Sequence, residues 1–455
     1  MPRLRRLRMT RWPRPTRRGV VLVLVGVVLF AVALFLDRRD LIFLALIGVA
    51  LPLVALAFVA LRRMSLHVSR AFSPSVVSAG GTARVSLLVT NTGRRSTDSA
   101  RWRDISPFAA GDDASGPVPA LGRHTGGSRG GDDTVELSYS IDLTRRGVFG
   151  VGPVAVTMSD PFGLATFDRA FGEAHDIIVT PRVSVLGGPR GGAAAIDGAL
   201  QERLRQTMPN SDELIAREYR HGDPLRRVNW PATARHGELM VRQEEQRSNP
   251  GARLIIDTSM SGHHRHSVFE HADRSGHVDA GFERVVEMAA SVGAHLLRSG
   301  FRLEVSETGP SILEPSVERT RGGLFGDSPT EFAMPGGDAE LLESLAHLPT
   351  PTDRTDRRDA HDDDPRSAVR TPLRVTRTPG FAVLADIDLD EADALAALGV
   401  GFEPAVAFVL STVGEEARER LAASGWTCVP LGYAQDLESV WESVDVSSGV
   451  VSNGR

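Results

Sequence analysis

The chain begins with two unbroken apolar runs. Gly19 to Leu36 reads GVVLVLVGVVLFAVALFL, Leu41 to Leu61 reads LIFLALIGVALPLVALAFVAL, and neither carries a charge. At about 1.5 Å of rise per helical residue, each run spans roughly the 30 Å hydrocarbon layer of a bilayer. Main-chain amides in lipid have no water to bond, so both runs are expected to be helices. Pro52 interrupts the second run, a kink that membrane helices tolerate. The link is only Asp37-Arg38-Arg39-Asp40, so the helices are expected to be antiparallel neighbours.

Past Met64 the period changes to two. Val135, Leu137, Tyr139 and Ile141 alternate with Glu136, Ser138, Ser140 and Asp142. Val85, Leu87 and Val89 alternate with Ser86, Leu88 and Thr90, and Val154, Val156 and Met158 with Ala155 and Thr157. Such alternation predicts strands with one face buried, and Asn91-Thr92-Gly93 marks a turn between two of them. Short strands without helical stretches predict a small all-β sandwich over 64–186, with the Gly/Asp-rich stretch 109–133 as a flexible insertion.

A Gly/Ala linker, Gly187 to Gly198, leads into a third pattern. Strands are expected at Arg253–Ile256, Phe301–Ser306, Phe381–Ala385, Ala405–Ser411 and Trp426–Leu431. Helices are expected at Phe282–Ser299, Ala339–Leu348, Glu391–Leu398, Glu415–Ser424 and Leu437–Val444. This alternation predicts an α/β domain with a mainly parallel sheet covered on both faces. The expected division is therefore 1–63 for the basic tail and transmembrane hairpin (19–36, 41–61), 64–186 for the sandwich and 187–445 for linker, signature segment and α/β domain, with a tail at 446–455. Residues 349–371 contain DRTDRRDAHDDDPR, with almost no apolar side chain, and are expected to be a disordered insertion.

Composition refines this picture. With 455 residues, 42% hydrophobic, the chain can bury cores in two or three domains. A net charge of −5 gives no bulk attraction to nucleic acid. Every basic residue other than His is Arg, and their placement sets an orientation. Arg3, Arg5, Arg6, Arg8, Arg11, Arg14, Arg17 and Arg18 precede the first run, Arg62 and Arg63 follow the second, and only Arg38 and Arg39 lie between. Positive charge stays inside, so a two-pass protein of the cell membrane with both termini cytoplasmic is expected. A cleaved signal peptide competes, because Ala31-Val32-Ala33 fits a cleavage site, but the apolar run continues past it and a second follows at once. The single cysteine, Cys428, permits no intramolecular disulfide and sits in an apolar strand, which reads as a structural thiol. A P-loop pattern is absent from the sequence, which argues against ATP hydrolysis by this chain.

Candidate chemistry falls in three places. Arg253 to Ser261 is an apolar run ending in D-x-S-x-S, which delivers Asp257, Ser259 and Ser261 to a strand end, where hard oxygen ligands suit Mg²⁺ or Mn²⁺. Asp386 follows a later strand and can add a second carboxylate; Thr330 or Asp338 would have to stand in for a further ligand. The competing reading is a vestigial site whose serines cap a helix or turn. Between Gly262 and Asp279 lie His263, His264, His266, His271 and His277, either a surface insertion or a zinc or nickel site. The densest segment is Arg217 to Glu244. There Tyr219, Asp223, Arg226, Trp230 and Arg235 suit either an internal salt-bridge network that pins the segment to the following domain, with guanidinium groups stacked on a Trp230 buried against that domain, or an Arg-lined docking surface for an acidic or phosphorylated partner. Burial of Trp230 is expected.

That segment resembles the signature of the bacterial domain-of-unknown-function family 58, which has an aromatic residue, a Gly-Asp, an Arg, a Trp and an Ala-Arg at about this spacing. Arg145-Arg146-Gly147-Val148-Phe149 and Asp160-Pro161-Phe162-Gly163-Leu164 also look like that family. The D-x-S-x-S string is similar to the metal-ion-dependent adhesion site of von Willebrand factor A domains. The resemblance implies a membrane-anchored protein with a von Willebrand factor A-like domain, often encoded beside MoxR-type AAA+ ATPases. The expected function is that of a cytoplasm-facing binding or scaffold protein rather than an enzyme, with the lipid bilayer and a MoxR-type ATPase as partners in assembling or maturing envelope complexes. A metal sensor or store using the His-rich loop, or a hydrolase, is the alternative.

Overall fold

In the computed structural model the described residues are 12–62, 64–98, 100–108, 114–124, 132–187, 191–207, 216–219, 228, 230–242, 250–258, 275–308, 330–350 and 378–444. They form two compact units, Met1–Thr180 and Pro181–Arg455. The boundary falls ahead of the Gly187 read from the sequence.

The N-terminal unit starts with strand β1 (Arg14–Pro15), then helices α1 (Arg17–Phe35) and α2 (Arg39–Leu61). Both helices are long and apolar enough to cross a membrane. Their packing explains the hairpin. The buried positions are Gly19, Gly26 and Ala33 on α1, and Ala45, Gly48, Pro52, Ala55 and Val59 on α2. These repeat every seven residues on α1, and every three or four on α2, so one stripe of mostly small side chains lies along each helix. A Cβ added to Gly48 would stand 3.2 Å from the Cα of Gly26, so the two backbones touch there, as glycine permits. The large side chains point away: Val21, Leu24, Val28, Phe43, Ile47 and Val54 are all exposed.

The strands that follow are β2 (Leu66–Ser73), β3 (Val76–Ser78), β4 (Gly81–Asn91), β5 (Ala100–Asp104), β6 (Ser115–Val118), β7 (Thr134–Leu143), β8 (Gly147–Val151), β9 (Val154–Ser159), β10 (Ala165–Phe171) and β11 (His175–Thr180). They form sheets in the orders β2-β4-β7, β3-β11-β8 and β1-β10-β9-β5-β6, antiparallel except for the β3–β11 pair. Strand β6 corrects the sequence reading of 109–133. Its Val118 is fully buried, so the core recruits part of a segment that Gly and Asp had marked as loop; 109–113 and 125–131 lie outside the described residues. All three sheets feed one apolar core, including Val85, Leu87, Ile141, Val156 and Ile177.

That core encloses an ion pair. Arg70 donates through Nη2 to Asp104 Oδ1 at 2.6 Å and through Nε to Asp104 Oδ2 at 3.1 Å, with side chains 1% and 0% exposed. Tyr139 donates its hydroxyl to Asp104 Oδ2 at 2.7 Å, and Arg70 Nη1 donates to the Glu173 carbonyl at 3.0 Å. The geometry is bidentate with further partners, the condition under which a buried pair is tolerated.

The C-terminal unit is an α/β layer structure. Its elements are α3 (Gly191–Thr207), β12 (Ala216–Glu218), α4 (Trp230–His236), β13 (Met240–Arg242), β14 (Gly251–Ile256), α5 (Ser275–Arg298), β15 (Arg302–Glu307), β16 (Thr330–Phe332), α6 (Gly337–His347), β17 (Thr378–Leu384), α7 (Leu389–Gly399), β18 (Phe402–Leu410), α8 (Glu415–Ala423), β19 (Thr427–Leu431) and α9 (Leu437–Glu442). Among the described residues the main sheet runs β16-β15-β14-β17-β18-β19, parallel throughout except for the edge pair β15–β16. Among all described residues most strand pairings are antiparallel. Alternate residues of this sheet enter two cores. Leu254, Ile256, Phe381, Val383 and Phe408 pack under α3, α5, α6 and α9. Ile255, Ala382, Leu384, Ala407 and Val409 pack under α7 and α8. Burial on both faces is why these strands read as continuous apolar runs.

Helix α3 is a second correction. Gly187–Gly198 reads as a linker because of its glycines and alanines, yet the helix starts at Gly191 and buries Ile196, Leu200 and Leu204 at a four-residue spacing. His295 fastens it: its Nε2 lies 3.0 Å from Asp197 Oδ1. The expected insertion at 349–371 has only its first two residues among the described ones, and most of the His-rich stretch lies outside them; α5 already begins at Ser275.

Burial, and secondarily the Asp104 carboxylate, push the Tyr139 phenol well above its ordinary value near 10. Its folded-state pKa is raised, so its stabilising contribution is complete below about pH 10 and is lost as pH rises beyond that, because only the unfolded chain then ionises. Denaturant melts of the full chain in detergent should therefore show Tyr139→Phe less stable than wild type by about 1.5–3 kcal/mol at neutral pH, with the gap closing in strong alkali. Asp104→Ala, which strands a buried guanidinium, should cost about 3–5 kcal/mol.

Candidate functional site

Strand β14 lies between β15 on one side and β17 on the other. Successive parallel strands therefore leave it in opposite directions, and in open α/β sheets ligands bind outside the carboxyl ends of the strands at such a switch point. At that edge stand Asp257 and Thr258 after β14, Glu307 and Thr308 at the end of β15, and Asp386 after β17; all are buried.

Asp257 is fully buried and closes the edge. Its Oδ2 accepts the main-chain N–H of Ala385 at 2.9 Å and of Asp386 at 2.8 Å. Its Oδ1 accepts the Thr308 hydroxyl at 3.1 Å. Thr308 in turn accepts the Thr258 N–H at 3.2 Å and donates its own N–H to the Ile256 carbonyl at 3.0 Å. The Thr412 hydroxyl donates to the Ala385 carbonyl, which ties the turn after β18 to the same edge. Asp388 caps α7 in a capping box with Glu391, so only Ile387 separates Asp386 from a helix start.

The structure thus brings together Asp257 and Asp386 from the sequence reading; Ser259 and Ser261 lie outside the described residues. Thr330 is in β16 and Asp338 in the first turn of α6, away from the Asp257 hydrogen bonds. Thr308, Glu307 and Thr412 were missed. The signal was an acid or hydroxyl within two residues of the ends of the expected strands Phe301–Ser306 and Ala405–Ser411. A carboxylate offers about four lone-pair directions. At least three are used by the bonds above, so Asp257 serves first as a structural acceptor. Among the described residues no group of three or more His, Cys, Asp or Glu is placed to hold a metal ion.

The Arg/Trp segment differs from expectation. β12 and β13 pair antiparallel, Tyr219 donates its N–H to the Leu239 carbonyl at 2.8 Å, and Val228, Met240 and Val241 are buried. Trp230 is 66% exposed, which overturns its expected burial. It opens α4, a short helix with no buried residue; apolar contact in this segment is made by the valines and methionine instead. Arg235 is exposed on the same helix, whereas Asp223 and Arg226 lie outside the described residues. Cys428 is half-buried, and burial raises its thiol above the ordinary range against the lowering influence of Arg418, which fits a structural thiol.

Fold and edge together define a chain with an apolar helical hairpin, a β-rich unit, and an α/β unit whose parallel strands end in a carboxylate-and-hydroxyl cluster. Residues 215–305 match the model of the family described as protein of unknown function DUF58, which supports assigning the chain to that family. The match runs from the β12 segment through Asp257 to β15. No curated protein matches the chain. Among solved structures, the CARDB domain of a Pyrococcus furiosus protein in complex with di-metal ions is 18% identical, over 24% of this chain and 89% of that chain, with a TM-score of 0.16. A Pseudomonas fluorescens alkylpurine DNA glycosylase bound to DNA is 11% identical, over 30% and 40%, with a TM-score of 0.15. A putative late embryogenesis abundant protein is 13% identical, over 36% and 90%, with a TM-score of 0.18. At such scores these likenesses carry no argument.

Asp257→Ala would strip acceptors from two buried N–H groups and one hydroxyl, so it should destabilise the chain by roughly 3 kcal/mol or more. Asp257→Asn, which keeps one carbonyl oxygen, should fall between Ala and wild type. Urea unfolding of the three proteins checks the order, and an unchanged midpoint for Ala would remove Asp257 from its structural role.

Proposed function

We propose that this chain is a membrane-anchored, cytoplasm-facing scaffold that docks a protein partner through its family segment. The observation that carries the docking reading is the 66% exposure of Trp230, with Arg235 exposed on the same short helix. An exposed tryptophan on a helix that also exposes an arginine has the composition of an interface hot spot rather than of a solvated surface. The anchor reading is supported by the inverted hairpin, with small residues inside and large apolar ones outside, an arrangement that suits lipid and not water. The cytoplasmic face rests on the Arg distribution, and a MoxR-type AAA+ ATPase as partner rests on the family resemblance. The α/β unit reads as von Willebrand factor A-like on its strand order and its Asp257 edge.

Crosslinking capture from native membranes tests the docking. Trp230→Ala and Arg235→Ala should each lose the captured partner while shifting stability by less than about 0.5 kcal/mol, as exposed substitutions do. Capture that survives both substitutions would refute the surface.

A second reading is favoured by the hard-oxygen edge at Asp257 and Asp386. There Mg²⁺ or Mn²⁺ would bind weakly, with Ser259 and Ser261 as further ligands and a partner carboxylate completing the shell. Titration calorimetry on the full chain should give a weak Mg²⁺ and Mn²⁺ signal that Asp386→Ala abolishes. Identical signals from both proteins would make the edge a vestigial site.

A further inference from the structure

The Asp160–Leu164 turn between β9 and β10 is built as tightly as any part of the N-terminal unit, yet it presents a large apolar side chain outward. Asp160 is buried; its Oδ2 accepts the Phe162 N–H at 2.9 Å and its Oδ1 the Ala165 N–H at 2.6 Å. Gly163 closes the turn at φ +68, with its N–H donated to the Asp160 carbonyl at 3.0 Å. These bonds hold Phe162 at 64% exposure. A loop that only had to reverse the chain would not need a phenyl ring at its tip.

The position of the turn supplies the reason. Thr16, the N-cap of α1, donates its N–H to the Leu164 carbonyl at 2.8 Å and its hydroxyl to the Gly163 carbonyl at 2.7 Å. Gly19 lies so close that any Cβ there would strike the Leu164 carbonyl oxygen. On the other side Leu164 and Ala165 pack with Ala55 and Val59 near the end of α2. The turn therefore sits level with the first turn of α1, where the charge-free run begins. Trp12, 79% exposed, precedes β1, which pairs with Thr166 and Ala165 just beyond the same turn. Arg14, Arg17 and Arg18 are exposed around it.

We infer that this turn is a lipid-contact element. Phe162, together with Trp12, seats in the headgroup layer of the bilayer, and the three arginines face lipid phosphates. The amphipathic indole of Trp12 favours that depth, the phenyl ring of Phe162 fits the boundary between headgroups and acyl chains, and guanidinium groups pair with phosphate. The turn is bonded to the first turn of α1, next to the exposed Val20 and Val21 of the hairpin, and this attachment selects lipid as the occupant. The inference rests on the membrane-anchor reading above. It adds that the β-rich unit is itself seated on the membrane surface rather than hung from it.

The test uses the full chain with Cys428→Ser, reconstituted in phosphatidylglycerol vesicles and carrying a polarity-sensitive fluorophore at Phe162→Cys or, as the anchor control, at Val27→Cys within α1. Spin-labelled lipids with the label at the headgroup or deep in the acyl chain serve as quenchers. At position 162 the headgroup label should quench more than the deep label, and at position 27 the order should reverse. Quenching at 27 without quenching at 162 by either label overturns the inference and leaves the anchor standing, with the turn facing water or a partner protein. Absence of quenching at both positions removes the anchor reading and the inference with it.

Discussion

The C-terminal unit depends on one buried carboxyl group. A parallel sheet leaves main-chain N–H groups without ladder partners where its strands end, and these cannot be buried unsatisfied. Asp257 resolves that problem at the switch point. Two N–H groups following β17 and the hydroxyl that follows β15 all converge on it. Three strand ends are thereby held in register around β14, and the helices on either face pack against a fixed edge. An apolar residue at 257 could not do this, and a lysine or arginine, being donor-only, would make it worse.

The N-terminal unit is held by a different logic. Its hairpin has no large apolar core of its own; two stripes of mainly small residues let the backbones meet, and the bulky side chains turn outward. Water would penalise that arrangement, whereas in lipid close packing of small residues is what draws helices together. Below it the β-rich unit uses carboxylates as staples, as the other unit does. Asp104 gathers Arg70 and Tyr139 from separate strands, and Asp160 knots the turn against which α1 begins. The helices are thus continuous with a rigid support.

Much of this was legible in the residues. The two charge-free runs announce α1 and α2, and period two over Val85–Val89 and Val135–Ile141 announces β4 and β7. The apolar bursts ending at Ile256, Leu384, Leu410 and Leu431 mark the parallel strands to within a residue or so at their C-terminal ends. Other features were illegible for physical reasons. Gly and Ala around 191–195 hide the start of α3, because its helical signal lies only in the Ile196, Leu200, Leu204 spacing. Strand β6 is short and contains Gly116 and Pro117, residues that local preference assigns to loops, so tertiary pairing with β5 overrides it. Thr308 and Thr412 matter through partners that are 51 and 27 residues away, which no local pattern encodes.

Trp230 shows where pattern reading reverses sign. A tryptophan among arginines reads as a stacked, buried ring, because burial is the commonest fate of so large an apolar side chain. Yet α4 has no buried face, and the apolar needs of its neighbourhood are met by Val228, Met240 and Val241. Among the described residues of the segment, burial falls to those three side chains and not to the ring. A structural account would place it inward, and stability would depend on it; the observed exposure separates it from stability. The same separation holds in reverse at Asp257, where the conspicuous candidate ligand is first a structural acceptor with three of its lone-pair directions occupied. A cation there must therefore be held chiefly by neighbours rather than by Asp257 itself. The exposed tryptophan is expected to change with little cost to the fold, while the buried aspartate is not.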